Sequence, residues 1–417
     1  MPARPSPDKP VDIILFGATS FVGRILCNYL VNEHSEPGLT WAMAARSESR
    51  LAELKASLGD AARSIPTLVA DASSETDMRR LCDHASLIIS TVGPYALYGE
   101  LLVKACAESG TDYCDLTGEP HWIRRMLTKY ESAARASGAR IVNCCGFDSI
   151  PSDLGVKFLQ DQAMARFGQY CRRVKMRVKA SKGGASGGTI ASGANLYKEA
   201  AQNAELRREL RDPYSLCPEG HGFKARQHSV TVEYDEDFQA WAGPFIMAAI
   251  NTRVVMRSNA LHEPPYHPDF LYDEGMLTGD GHQGKQRARI LALGTTLGTV
   301  MLAVAPLRWA TMKFLPSPGE GPSPRQQQEG FYDLRFYGET ESGESLTVKV
   351  SGDRDPGYGS TSRMLAQAGL SLCKEVSREQ RGGGFWTPAT VFDERLFRRL
   401  ESYAGLRFEV LEQSSRA

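Results

Sequence analysis

The chain has 417 residues, more than one ordinary core encloses, so two domains are expected. Its 49 basic and 49 acidic side chains cancel, which excludes a general electrostatic pull toward nucleic acid; any charged ligand has to be held locally. Nine scattered cysteines show no paired zinc-ligand spacing, and the opening MPARPSPDKPVDII has no apolar signal core, so a reduced, cytoplasmic chain without a metal site is expected.

From Val11 to Phe147 short apolar runs alternate with segments of helical period. VDIILF, LTWAMAA, PTLVA, SLIISTVG, DYCDL and RIVNCCG read as strands. In the first intervening helix Val22, Ile25, Leu26, Tyr29 and Leu30 form one apolar stripe, and Ser74 stands three residues before Asp77 with capping-box spacing. This alternation predicts a Rossmann-type, doubly wound parallel sheet over residues 1–154. Longer β-like runs follow, RRVKMRVKAS, HSVTVEY, FYDLRFYGET and ESLTVKVSG, and predict a second α+β domain over 155–370 with a mostly antiparallel sheet. LPSPGEGPSPRQQQEG reads as a loop within it. Residues 371–417 read as a C-terminal helical segment that packs back on the first domain. There Phe392, Leu396, Leu400 and Tyr403 share one face and Gly405 is the stop.

The turn ILFGATSFVGRIL joins the first strand to the first helix. Gly17, Ser20 and Gly23 occupy the places of a G-x-x-G-x-x-G motif, with Ala18, Thr19, Phe21 and Val22 between them. The first glycine permits a sharp turn, the last a close helix–strand approach, and the helix N-terminus offers N–H groups to pyrophosphate. Ser20 replaces the middle glycine; its small hydroxyl still lets a phosphate approach and can donate to it. The competing reading is a ligand-free strand–helix turn.

The end of the second strand selects the cofactor. An NAD site wants a carboxylate there for the ribose hydroxyls, whereas a 2′-phosphate wants a guanidinium. Here AARSESR places Arg46 23 positions after Gly23, with Ser47 beside it and no acid before it on the strand. A phosphate clamp and therefore NADP(H) is predicted, the alternative being a solvated strand-end charge. Asp71, closing the third strand, is a candidate for the adenine edge or an ordinary turn residue. Thr91, Val92, Gly93 and Pro94 follow the fourth strand and are candidates to flank the nicotinamide.

These residues, together with YGELLVKACAESGTDYCDLTGE, GARIVNCCGFDSIPSDLG, GGASGGTIAS, GPFIMAAINTRVVMRSNAL, PGEGPS and GGGFWTPAT, resemble the saccharopine dehydrogenase-like oxidoreductase family, most of all its mycobacterial trans-acting enoyl reductase branch. The resemblance spans nearly the whole chain. It implies a Rossmann domain, a second domain carrying substrate and oligomer contacts, use of NADP(H), and hydride delivery to a double bond of a lipid or polyketide-like substrate. A homodimer is within that expectation. The rivals are a saccharopine-type amino-acid-linked dehydrogenase, which would need cationic groups for several carboxylates, and a non-catalytic membrane-associated NADP-binding protein.

None of the fifteen tyrosines has the Tyr-x-x-x-Lys spacing of a short-chain dehydrogenase. Proton-donor candidates at carboxyl ends of predicted strands are Tyr95, Tyr98, Asp115, Glu119 and Asp148, of which Tyr98 and Asp148 are chosen as catalytic; Asp148 also has a plain alternative as a helix cap. Cys144 and Cys145 read as packing. The Gly-x-Ser-x-Gly match GASGG, Gly184 to Gly188, sits in a glycine run rather than at a hydrolase elbow, and the small-residue run Ser181–Asn195 suits close approach of a ligand or a helix. Ile290 to Leu307, ILALGTTLGTVMLAVAPL, carries no charge and has basic flanks. It is expected either to pack as a buried helix of the second domain or to make peripheral membrane contact beside a hydrophobic or acyl-lipid substrate.

Overall fold

The apolar runs of the first third lie side by side because strands buried on both faces need neither face polar. The computed structural model describes residues 9–184, 187–313 and 319–411. In it β1 (Val11–Phe16), β2 (Trp41–Ala45), β3 (Thr67–Val69), β4 (Ala85–Ser90), β5 (Asp112–Asp115) and β6 (Arg140–Val142) form a parallel sheet in the order β6-β5-β4-β1-β2-β3. All six residues of β1 are buried, as its place in the centre demands. The strand order reverses between β1 and β4, and the crevice beyond their carboxyl ends is where such sheets take ligands.

A second sheet is built from β7 (Cys171–Lys182), β8 (Glu233–Asp235), β9 (Ala240–Pro244), β10 (Leu271–Gly279), β11 (Phe331–Thr340) and β12 (Ser345–Gly352). Its pairs are antiparallel except β7 with β10. Along β11 and β12 every second residue is buried, so one face is turned to the core. That face meets the helix Ile150–Phe167, whose Gly155 allows close contact: a Cβ there would sit 2.4 Å from the Phe336 ring.

The C-terminal end of the chain carries two strands that the sequence reading did not place. The C-terminal helix forms, Glu394–Tyr403, with Leu396 and Leu400 buried and Tyr403 exposed. Two strands flank it. β13 (Gly384–Trp386) joins the first sheet beside β6, and β14 (Leu406–Leu411) joins the second beside β12 after Gly405 reverses the chain at φ +73°. In HSVTVEY only Glu233 and Tyr234 enter a strand, because β8 pairs with β9 through three residues alone. The Pro-rich loop holds a short helix, Pro324–Gln328, started by a Ser323–Gln326 capping box.

The apolar run 290–307 is not buried. It forms most of the helix Gly281–Ala303 and the start of Ala305–Met312, which diverge by 105°, and many of its large side chains face outward. Among the described residues no single helix is long and apolar enough to cross a membrane. Composition set the run apart as apolar; the direction of its face depends on the neighbours it packs against.

Candidate active site

The turn after β1 is held to β2 by two backbone bonds, from the N–H groups of Gly17 and Ala18 to the Ala44 carbonyl, at 2.9 and 3.1 Å. Gly17 adopts φ +90°, and a Cβ there would lie 2.6 Å from the Thr91 hydroxyl oxygen. A Cβ on Gly23 would lie 2.1 Å from the Gly17 carbonyl oxygen. Both glycines are therefore required by space as well as by backbone angle.

Ser20 has a role that the sequence reading did not assign. It is the N-cap of the helix Phe21–Asn28, its hydroxyl accepting from the Gly23 N–H at 2.9 Å and lying 2.9 Å from the Thr91 hydroxyl. Thr91 lies 2.9 Å from the Gly17 carbonyl and donates to it, so the Ser20 proton points to Thr91. That hydroxyl thus caps the helix and ties β1, β4 and the helix together at the switch point. The first-turn N–H groups of Phe21 and Val22 have no acceptor inside the helix and are left for an anion. Thr19 is half-buried beside them.

Arg46 is exposed at the end of β2 and forms no hydrogen bond or ion pair among the described residues. Ser47 caps the helix Glu48–Ser57. Asp71 forms a turn with Ser73, accepting from its N–H at 2.9 Å and its hydroxyl at 2.7 Å. Those bonds, then the nearby Arg46 charge, hold the Asp71 carboxyl below its usual range. Thus Arg46 and Asp71 stand together at the carboxyl end of the first sheet, where Arg46 follows the strand that the Gly17 turn is bonded to.

Across the switch point, Thr91 is buried, Val92 half-buried and Gly93 exposed, and the Gly93–Pro94 peptide is cis. Pro94 starts the short helix Tyr95–Tyr98. The five carboxyl and phenol candidates separate here. The Tyr95 hydroxyl donates to the Ser90 carbonyl at 2.9 Å. Asp115 accepts from the N–H groups of Thr117 and Cys144, the Asn143 amide and the Tyr113 hydroxyl. Glu119 caps the short helix, accepting from the N–H groups of Tyr95 and Ala96 at 2.9 Å each, and takes a third bond from the Ser192 hydroxyl at 2.8 Å. These three are structurally committed.

Asp148 is not. It is half-buried against Gly118, where a Cβ would sit 3.4 Å from its Oδ2, and no side chain or N–H among the described residues donates to it. Burial, then repulsion from Asp115, pushes its carboxyl up to about 7. The alternative role as helix cap fails: the helix Ile150–Phe167 begins after Ser149, which stands at φ +125° without a side-chain cap. The Ser149 hydroxyl donates instead to Asn251. Tyr98 is exposed, and no hydrogen bond ties it to this group. Burial raises the Cys144 and Cys145 thiols well above their usual range, in keeping with packing.

Sequence reasoning missed what covers the site. The helix Gly187–Gln202 reaches it through Ser192 and, by the Thr189–Tyr358 contact at 3.0 Å, touches the residue whose ring packs edge-on to Phe21. Phe21 also faces Gly321, and Arg24 donates to the Gly319 carbonyl at 2.9 Å, so the Gly17–Gly23 turn and its helix pack against the segment 319–321. The only hint was the density of glycine and small residues in those stretches. The Gly-x-Ser-x-Gly match falls outside the described residues at its serine.

Comparison with known proteins bears on the family, the fold and the cofactor. The family described as saccharopine dehydrogenase NADP binding domain matches residues 13–142. A trans-acting enoyl reductase of Mycobacterium tuberculosis is 35% identical over 412 residues, covering 94% of this chain and 96% of that protein. The trans-acting enoyl reductase of Mycobacterium leprae is 34% identical over 410 residues, covering 95% and 97%. Among solved structures, apo saccharopine dehydrogenase (L-Glu forming) from Saccharomyces cerevisiae superimposes with a TM-score of 0.53 at 12% identity, covering 96% of this chain and all of that one. That likeness concerns the fold, a Rossmann-type sheet with a second α+β sheet. The chain is an NADP-dependent oxidoreductase and belongs to the saccharopine dehydrogenase-like family that includes the mycobacterial trans-acting enoyl reductases.

Proposed function

We propose that this oxidoreductase is an enoyl reductase acting on an acyl-lipid substrate, with Asp148 as the proton donor. The observation that carries the reading is a carboxyl without a hydrogen-bond donor among the described residues, pushed up to about 7, beside the carboxyl ends of the first sheet. Reduction of a double bond conjugated to a carbonyl needs a hydride at one carbon and a proton at the next. NADPH supplies the hydride when bound. Arg46 and Ser47 would hold its 2′-phosphate, the N–H groups of Phe21 and Val22 its pyrophosphate, and Thr91 to Pro94 its nicotinamide side.

Asp148, about half protonated near neutral pH, gives its proton to the carbon beside the acyl carbonyl. Tyr98, exposed on the adjoining helix, lies toward solvent and is the second candidate donor. The small-residue helix Gly187–Gln202, tied to Glu119 through Ser192, forms a wall that lets a long chain lie close to backbone. The 35% identity to trans-acting enoyl reductases supports the reaction class. The test is NADPH oxidation by the purified protein with an α,β-unsaturated acyl thioester. Product with both new hydrogens is expected, and turnover only with an amino acid and NADP would replace this reading by the saccharopine-type one.

A further inference from the structure

We propose that the bent helix pair Gly281–Ala303 and Ala305–Met312 docks the protein on an anionic lipid surface. The inference deepens the reading of an acyl-lipid substrate, since it names where that substrate is met. On a helix turning about 100° per residue, Ile290, Leu293, Leu297 and Val300 fall within an arc of about 80°. That arc points outward: Ile290 is 70% exposed, Leu293 69% and Leu297 55%. The stripe continues past the bend through Val304, Leu307 and Trp309, the last 68% exposed. The opposite face is the one that packs, with Ala288 buried, Leu291 against Gly243 of β9, and Thr299 3.3 Å from the Tyr197 hydroxyl. A helix on the surface of a protein in water has the reverse arrangement.

Charge identifies the occupant. The chain as a whole is neutral, yet residues 281–313 carry Lys285, Arg287, Arg289, Arg308 and Lys313 and no acidic residue. None of these five forms an ion pair among the described residues. Arg287 and Arg289 are exposed one turn before the stripe, about 200° apart on the helix and therefore on its two edges. The Lys313 ammonium lies 3.5 Å from the centre of the exposed Trp309 ring, a pairing suited to the headgroup level. Basic edges around an apolar stripe fit acidic headgroups above acyl chains. They fit a second copy of this chain poorly, because a two-fold contact would set the same basic groups against each other. Neither helix alone is long and apolar enough to cross a membrane, and the 105° bend splits the charge-free run 290–307 between them, which suits a pair lying in the surface.

The docking face is joined to the catalytic crevice by one element. The helix Gly187–Gln202 touches the docking helix at Tyr197 and the site at Ser192, which donates to Glu119. An acyl chain leaving the bilayer thus has a short path along the small-residue helix to the switch point.

The experiment is flotation of the full chain with phosphatidylcholine vesicles and with the same vesicles carrying phosphatidylglycerol. The protein is expected to float with the anionic vesicles, less so as salt rises, and at least tenfold less with neutral ones. Leu293→Glu with Leu297→Glu, at exposed positions, is expected to abolish flotation without lowering the melting temperature or NADPH affinity. Arg287→Glu with Arg289→Glu is expected to remove the preference for anionic lipid. The inference is overturned if the wild type stays at the bottom of the gradient, or if the double leucine variant floats equally well. It is also overturned if that variant merely turns a dimer into a monomer. Turnover of a soluble short-chain enoyl thioester separates the two readings: flotation without turnover leaves docking standing and removes the reaction, and turnover without flotation does the converse.

Discussion

Replacing Asp148 by Asn removes the ionisable proton while keeping size and shape. With a carboxyl at about 7, roughly nine-tenths of the sites hold the proton at pH 6 and roughly one-tenth at pH 8. Single-turnover hydride transfer in the wild type should therefore fall about tenfold across that interval. Asp148→Asn should slow the step by about 10² to 10⁴ at pH 6 and flatten the profile, since the amide does not titrate. NADPH affinity should hold, because Asp148 belongs to none of the cofactor contacts. Stability supplies an independent reading. The folded carboxyl lies above its unfolded value of 3.8, so its contribution is complete below pH 3.8 and is lost as pH rises through about 7. Asp148→Asn escapes that loss and should melt higher than the wild type at pH 8 but alike at pH 4. Asp153 and Glu274 are also raised to about 7 and remain in both proteins, so only the difference between the two melting curves reports Asp148. A variant that keeps the wild-type pH limb, or gains nothing at pH 8, would refute the assignment.

At Arg46 the contact at stake is charge-assisted, so Arg46→Ala should weaken NADPH roughly tenfold to a hundredfold and hardly affect NADH. Arg46→Asp should invert the preference, and a constant NADPH-to-NADH ratio of dissociation constants across the three proteins would show a solvated charge instead. Gly17→Val should abolish dinucleotide binding in a calorimetric titration, because its first side-chain atom would stand 2.6 Å from the Thr91 oxygen at a φ that valine resists. Ser20→Ala should cost about 0.5–2 kcal/mol in denaturant unfolding as a lost cap, with Ser20→Gly recovering much of it; equal stability of all three would remove the capping role.

The parts legible in the sequence are those that local chemistry decides. Short apolar runs between segments of period 3.6 placed the strands of the first sheet, because such patterns are local, and the choice of NADP(H), read from the guanidinium at Arg46, agrees with the matching NADP-binding family. Ser20 was legible as a small residue but not as a cap, since its contact with Thr91 depends on β4 lying next to β1. Asp148 was legible only as a candidate. What distinguishes it from Asp115 and Glu119 is the absence of donors among the described residues, and donors come from Asn143, Ser192 and turns far along the chain. β13 and β14 lie beyond the last predicted strand; β13 has three residues, too few for a period, and β14 alternates as LRFEVL but follows a helix that dominated the reading. The apolar run 290–307 states the limit most sharply. Hydropathy marks which residues avoid water, whereas burial depends on whether the rest of the chain offers them a partner. Here β9 and the helix Gly187–Gln202 receive one face of that helix, and nothing among the described residues receives the other. The unmatched face is thus a property of the assembled fold, and the basic residues around it determine what can cover it.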